Sequence, residues 1–218
     1  MVFETANDAF LSLLRKIFSD GRRSENTLRL LNVGFTINRP ELNTITVDGR
    51  KWSSKYAQRE FDWYLSGNRD VSEIKKYAPI WDRMHGGDNL VNSNYGYQWM
   101  RNNQLQNVIT NLKNNPHSRQ EYISLYDGKE KHKYAYDTPC TLSVGFVIDD
   151  GMLNMNVNMR SNDIWYGFCN DQYCFSELQK IVAKELGLPI GWYYHHAHDL
   201  HLYEDRFGDA AKIILNLF

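Results

Sequence analysis

Cys140 stands in the run Asp137-Thr138-Pro139-Cys140-Thr141, where a proline fixes the backbone just before a thiol. A cysteine so held is a candidate nucleophile, because a neighbouring cation can keep it as thiolate. The competing role for a single cysteine is that of a small buried apolar residue. Cys169 and Cys174 fit that second role, since they flank aromatic residues and have no evident activating partner. A second chemical cluster is His195-His196-Ala197-His198-Asp199-Leu200-His201. Imidazoles with a nearby carboxylate are a metal-ligand set in principle. On a strand, however, alternate side chains point to opposite faces, so these histidines are divided and no metal is expected.

Elements must position these groups. Residues 28–37 and 44–47 alternate as short strands do, joined by the turn Pro40-Glu41-Leu42-Asn43. Apolar positions recur at helical spacing over 55–65, with Ser66-Gly67-Asn68 as the stop, and again over 105–112, ended by Asn114-Asn115-Pro116. Strand signals return at 122–126, 141–148 and 153–159, the last two joined by an Asp149-Asp150-Gly151 hairpin turn. A helix over 175–186 closed by Gly187, a strand at 190–194 and a short final helix complete an α+β pattern. Cys140 thus sits at the mouth of a strand. The opening stretch, MVFETANDAFLSLLRKIF, reads as an amphipathic helix, because Glu4 and Asp8 and the lack of a small-residue cleavage pattern do not suit a signal peptide.

The chain of 218 residues suits a single domain, 1–218. Its 25 basic and 26 acidic side chains nearly cancel, which gives no general attraction for a polyanion, and no direct nucleic-acid binding is expected. No stretch approaches the ~18 uninterrupted apolar residues of a membrane span, so no membrane partner is expected either. Three cysteines without framework spacing point to reduced thiols in a cytoplasm.

The run Arg160-Ser161-Asn162-Asp163-Ile164-Trp165-Tyr166-Gly167-Phe168 resembles the phosphate- and base-binding segment of the thymidylate synthases. With Asn158-Met159 before it and Asn170-Asp171 after it, the run is most similar to the phage deoxycytidylate hydroxymethylases of that family. The likeness spans residues 24–207. Gln58-Arg59-Glu60-Phe61-Asp62-Trp63-Tyr64 resembles the helix that bears the family's catalytic glutamate. Ile80-Trp81 and Asn92-Ser93-Asn94-Tyr95-Gly96 resemble the folate-side wall and the turn after it. Asn115-Pro116-His117-Ser118-Arg119 resembles the segment reaching into a partner subunit, and His198-Asp199-Leu200-His201-Leu202-Tyr203 the ribose-binding strand. The intervals from Cys140 to Arg160 and from Asp171 to His201 match the family without a gap.

The resemblance implies a thymidylate synthase-like fold, a large mixed β-sheet flanked by helices, dimerising through the sheet. It also implies roles. Cys140 adds to C6 of a pyrimidine nucleotide, since C5 is a poor nucleophile until something has added there. Glu60 relays protons and orders water. Arg160 and Ser161 hold the phosphate, Arg119 joins them from the other protomer, and Arg22 or Arg23 adds a further contact. His201 and Tyr203 bind the sugar 3′-hydroxyl, and Trp81 and Asp163 face the folate. The co-substrates are 5,10-methylenetetrahydrofolate and a pyrimidine nucleotide, and no metal is implied.

The base-reading position of thymidylate synthases is an asparagine that accepts from uracil N3–H and donates to O4. Eleven residues after Arg160 this chain has Asp171, with Asn170 beside it. Cytosine offers an N3 acceptor and an N4 donor, which a carboxylate with a shared proton matches. Deoxycytidylate is therefore the expected substrate. Asp171 also has a competing use, as N-cap of the helix over 175–186. Met159 replaces a glutamine and Met84 a tryptophan of the synthases, and the sequence ends at Leu217-Phe218 without their closing tail. These favour water over hydride at the last step, hence 5-hydroxymethyldeoxycytidylate, a product suited to phage DNA modification in a host cytoplasm. Reductive methylation of deoxycytidylate or deoxyuridylate is the second reading, and a non-catalytic nucleotide- or RNA-binding protein the third. Gln120 and His198 depart from the family's arginine and glycine.

Overall fold

A computed structural model describes residues 1–133 and 136–216. In chain order the elements are β1 (Val2–Phe3), α1 (Ala6–Asp20), β2 (Arg22–Ser24), β3 (Thr27–Ile37), α2 (Ser54–Leu65), α3 (Tyr95–Met100) and α4 (Gln104–Asn114). There follow β4 (Tyr122–Ser124), β5 (Thr141–Asp149), β6 (Met152–Met159), β7 (Asn162–Asp163), α5 (Phe168–Leu186), β8 (Ile190–Tyr203) and α6 (Phe207–Leu215). Short 3₁₀ turns at Ile74–Lys76 and Pro79–Arg83 lie between α2 and α3.

Among the described residues eight strands form one mixed sheet in the order β1-β3-β8-β6-β5-β4, with β2 on β3 and β7 on β8. β3 runs antiparallel to β8, while β6 and β7 run parallel to it. The β5–β6 hairpin turns on Asp150 and Gly151, both at positive φ, as the sequence predicts. One sheet face is apolar and is covered by α1 and α5: Phe10, Leu13, Leu14 and Ile17 of α1 are fully buried, and Phe35 of β3 meets Phe168 of α5 edge-on at 5.7 Å. The Thr5 capping box fixes the start of α1. The opposite face carries Thr36, Asn156, Asn158, Trp192 and Tyr194 around a shallow hollow.

Three sequence expectations are corrected. Residues 44–47 form no strand. The Thr46 N–H donates to Asn7 Oδ1 at 2.8 Å, and Asn43 donates to Ser176 and Glu177 on α5, so side chains on two helices hold this segment. The helix expected over 175–186 begins at Phe168, with Gly167 at its N-cap, so Asp171 lies within the first turn and is not a cap. The segment expected as a turn at 92–96 instead starts α3, where Asn94 accepts from the Tyr97 N–H at 2.8 Å. Leu217 and Phe218, on which the expectation about a closing tail rests, lie outside the described residues.

Candidate active site

β5 and β6 are joined at their open end by the bond from Arg160 N–H to the Cys140 carbonyl, 2.8 Å. That link explains the interval of 20 residues, because the hairpin brings its two ends together. The backbone just before Cys140 is tied from the other side. Asp137, buried, accepts from the backbone N–H groups of Asn92 and Ser93, both at 2.6 Å, and from the Ser93 hydroxyl. Cys140 is therefore presented from a loop fastened at both flanks.

A cavity of about 340 Å³ opens in front of it. Its walls include Glu60, Trp81, Met84, Cys140, Ser161, Asn162, Asp163, Asp171, His201 and Tyr203. Residues from α2, the 3₁₀ turn, β7, α5 and β8 thus meet in one place, and every candidate for nucleophile, acid–base group, base reader, sugar contact and folate contact lies on that wall. Of the phosphate candidates only Ser161 does. Arg160 is exposed beside it, 3.7 Å from Cys140 Sγ. Arg22 is exposed on β2, and Arg23 is paired with Glu204 at 2.7 Å. Arg119 lies on a separate surface hollow with Asn115, His117, Ser118 and Gln120.

Burial governs the electrostatics. It pushes the Cys140 thiol up to about 11, against the pull of Arg160, so the thiol is protonated at neutral pH. It raises Glu60 to about 7, in part offset by the Tyr56 hydroxyl, which donates to Glu60 Oε1 at 2.8 Å. Trp81 Nε1–H in turn donates to the Tyr56 oxygen at 3.0 Å, which completes a relay from cavity wall to carboxyl. Asp171 is raised well above the usual carboxylate range by burial and by the nearby Glu60 and Asp163. Asp163 is raised by burial to about 6, while the Trp165 N–H, donating at 2.8 Å, draws it back. His201 and Tyr203 share a strand face, their rings edge-to-face at 5.1 Å.

The histidine cluster is divided as alternation predicts. His195 is fully buried between Phe35 and Phe168, whereas His196 and His198 meet each other edge-to-face at 4.6 Å and His198 contacts Asn32 on the other face.

Sequence reasoning missed Tyr56 and Asn162. Tyr56 precedes Glu60 by one helical turn, a spacing that places the two side chains together and gave a usable signal. Asn162 donates to Asp171 Oδ2 at 2.7 Å, a contact across a strand and a helix start that spacing alone does not reveal.

A thiol and two carboxyls whose pKa values burial raises, Glu60 and Asp171, thus stand around one cavity, a combination suited to nucleophilic and acid–base chemistry. The comparisons agree with that class. The thymidylate synthase family model matches residues 8–216. Thymidylate synthase 1 of Bacillus spizizenii is 28% identical, covering 95% of this chain and 76% of its own. The thymidylate synthase of Bacillus phage phi3T is 28% identical over 89% of this chain and 72% of its own. The structure of thermostable thymidylate synthase A from Bacillus subtilis superposes with a TM-score of 0.80 at 22% identity, over 95% of this chain and 83% of that one.

The chain belongs to the thymidylate synthase family. Its activity is accordingly one-carbon transfer of the thymidylate synthase type, with methylenetetrahydrofolate as co-substrate. Among the described residues no helix is long and apolar enough to cross a membrane.

Proposed function

We propose that the protein converts deoxycytidylate to 5-hydroxymethyldeoxycytidylate. The observation that carries this reading is Asp171, a carboxyl on the cavity wall whose protonated form is favoured by burial and by the nearby Glu60 and Asp163, and which holds Asn162 hydrogen-bonded to one of its oxygens. A neutral carboxyl has one donor and one acceptor side by side, and with the donor turned toward N3 it complements cytosine N3 and N4. An ionised carboxylate would offer acceptors only.

Methylenetetrahydrofolate supplies the one-carbon unit. Trp81, Met84 and Ile80 give the cavity an apolar stretch of wall, with Asp163 also on its lining, and such a surface suits a flat heteroaromatic ring. Cys140 gives up its proton on substrate binding and adds to C6, which makes C5 nucleophilic. After C5 has bonded to the carbon unit, loss of the C5 proton expels tetrahydrofolate, which takes the electron pair of the carbon–nitrogen bond, and an exocyclic methylene remains on the nucleotide. Glu60, poised near 7, orders the water whose oxygen adds there, and Cys140 then departs as the ring double bond re-forms. Arg160 and Ser161 hold the phosphate, with Arg22 and the partner protomer's copy of Arg119 completing its shell. His201 and Tyr203 hold the sugar. This assembly requires a homodimer through the open sheet face.

The relatives are named thymidylate synthases, which favours reductive methyl transfer as the second reading. Asp171→Asn decides the base. Preference should move from deoxycytidylate toward deoxyuridylate, with kcat/KM for deoxycytidylate down by about a hundredfold or more. An unchanged preference would remove Asp171 as base reader.

A further inference from the structure

Asn162 immediately follows Ser161, begins β7 and is 2% exposed. Its amide nitrogen donates to Asp171 Oδ2 at 2.7 Å, while its own Oδ1 is buried without a hydrogen-bond partner among the described residues. A merely structural asparagine would be expected to satisfy both ends. The orientation has an electrostatic cause: Glu60, Asp163 and Asp171 converge here, and the positive end of the amide dipole faces them. Room for the pair is made at Gly167, where a Cβ would stand 3.1 Å from Asn162 Nδ2 and 3.2 Å from Asp171 Oδ2.

A protonated carboxyl has two forms, and they read opposite bases. With the proton on the oxygen facing N3 and a bare oxygen facing the C4 substituent, it matches cytosine. With the two exchanged it imitates an asparagine and matches uracil. Aspartate alone therefore does not specify cytosine; something must choose the oxygen. An N–H pointed at Oδ2 disfavours a proton there, because two hydrogens would meet at one oxygen.

We propose that Asn162 is a specificity-determining positioning residue, whose amide keeps Asp171 Oδ2 proton-free and so presents the base with a donor on Oδ1 and an acceptor on Oδ2. This rests on the deoxycytidylate reading above. Oδ2 then accepts both from Asn162 and from the base amine, and Oδ1–H donates to N3. Uracil meets a donor at its own N3–H and an acceptor at O4, two unpaired buried contacts.

The test compares wild type with Asn162→Ala and the near-isosteric Asn162→Leu, each first shown to keep its thermal unfolding midpoint to within a few degrees; Asn162→Ser serves as a third, smaller replacement if neither does. The ratio of kcat/KM for deoxycytidylate to that for deoxyuridylate should fall by about tenfold in the variants, as discrimination is lost. The alkaline limb of the deoxycytidylate profile should also move to higher pH, since the Asn162 hydrogen bond is what lowers Asp171. Folded variants with the wild-type ratio and profile would overturn the assignment while leaving Asp171 as base reader. Wild-type preference for deoxyuridylate would overturn the parent reading and this one together.

Discussion

The guanidinium of Arg160 lies 3.7 Å from Cys140 Sγ while it donates to the carbonyls of Thr138 and Pro139 at 2.8 and 3.1 Å. The cation is thus anchored to the loop that carries the thiol. Its charge partly offsets burial, which nevertheless holds the thiol near 11. Alkylation of Cys140 by iodoacetamide, followed by peptide mapping, should be slow at neutral pH and rise with pH toward about 11. Arg160→Gln should slow it at every pH below that. Cys140→Ser should abolish tritium release from C5-labelled nucleotide; full exchange in that variant would exclude Cys140 as the adding group.

Glu60 and its relay predict a split between two variants. Glu60→Gln should lower kcat by about 10²–10⁴-fold, the usual worth of a general acid–base group. Tyr56→Phe keeps the carboxyl but removes a hydrogen bond that lowers its pKa. The kinetic limb assigned to Glu60 should therefore rise from about 7 to higher pH, with a smaller loss in kcat. A Tyr56→Phe limb at the wild-type position would detach Tyr56 from Glu60.

His195 predicts acid sensitivity in the fold. Burial depresses it to about 3, so the native state holds it neutral while the unfolded chain takes up a proton below about 6.5. Stability from this group is full above the unfolded value and is lost as pH falls toward 3. Between about pH 7 and pH 5 the loss should reach about 2 kcal/mol in urea titrations. His195→Phe should flatten that slope; an equal slope in the variant would place the acid sensitivity elsewhere.

Asp137 fastens the nucleophile loop through Asn92 and Ser93. Asp137→Ala leaves two buried backbone donors unpaired, and should cost about 3 kcal/mol in chemical unfolding together with most of the activity. A loss under about 1 kcal/mol would show that the loop is held by other contacts.

The legible parts were those with short-range signals. The β5–β6 hairpin follows from Asp149-Asp150-Gly151 between two alternating runs, and it alone explains why Cys140 and Arg160 meet. The site candidates on the cavity wall followed from family motifs in order. What failed did so where a long-range side-chain bond outweighed local pattern: the segment at 44–47 alternates like a strand, yet Asn7 and α5 hold it. The early start of α5 was hidden because Asn170-Asp171-Gln172 interrupt the apolar positions of its first turns, and the polar Gln172 is buried through hydrogen bonds to the Asn43 and Cys169 carbonyls that no local period reveals. Asn162 was invisible for the same reason as any cross-element partner: its meaning lies in Asp171, nine positions away, on another element.

Mass spectrometry of the nucleotide after incubation with methylenetetrahydrofolate and either deoxycytidylate or deoxyuridylate reads the product and the base preference together. A deoxycytidylate hydroxymethylase adds CH2O to deoxycytidylate and releases tetrahydrofolate, and that is the expected result. A gain of CH2 alone with dihydrofolate formed, or product from deoxyuridylate in preference to deoxycytidylate, would contradict it.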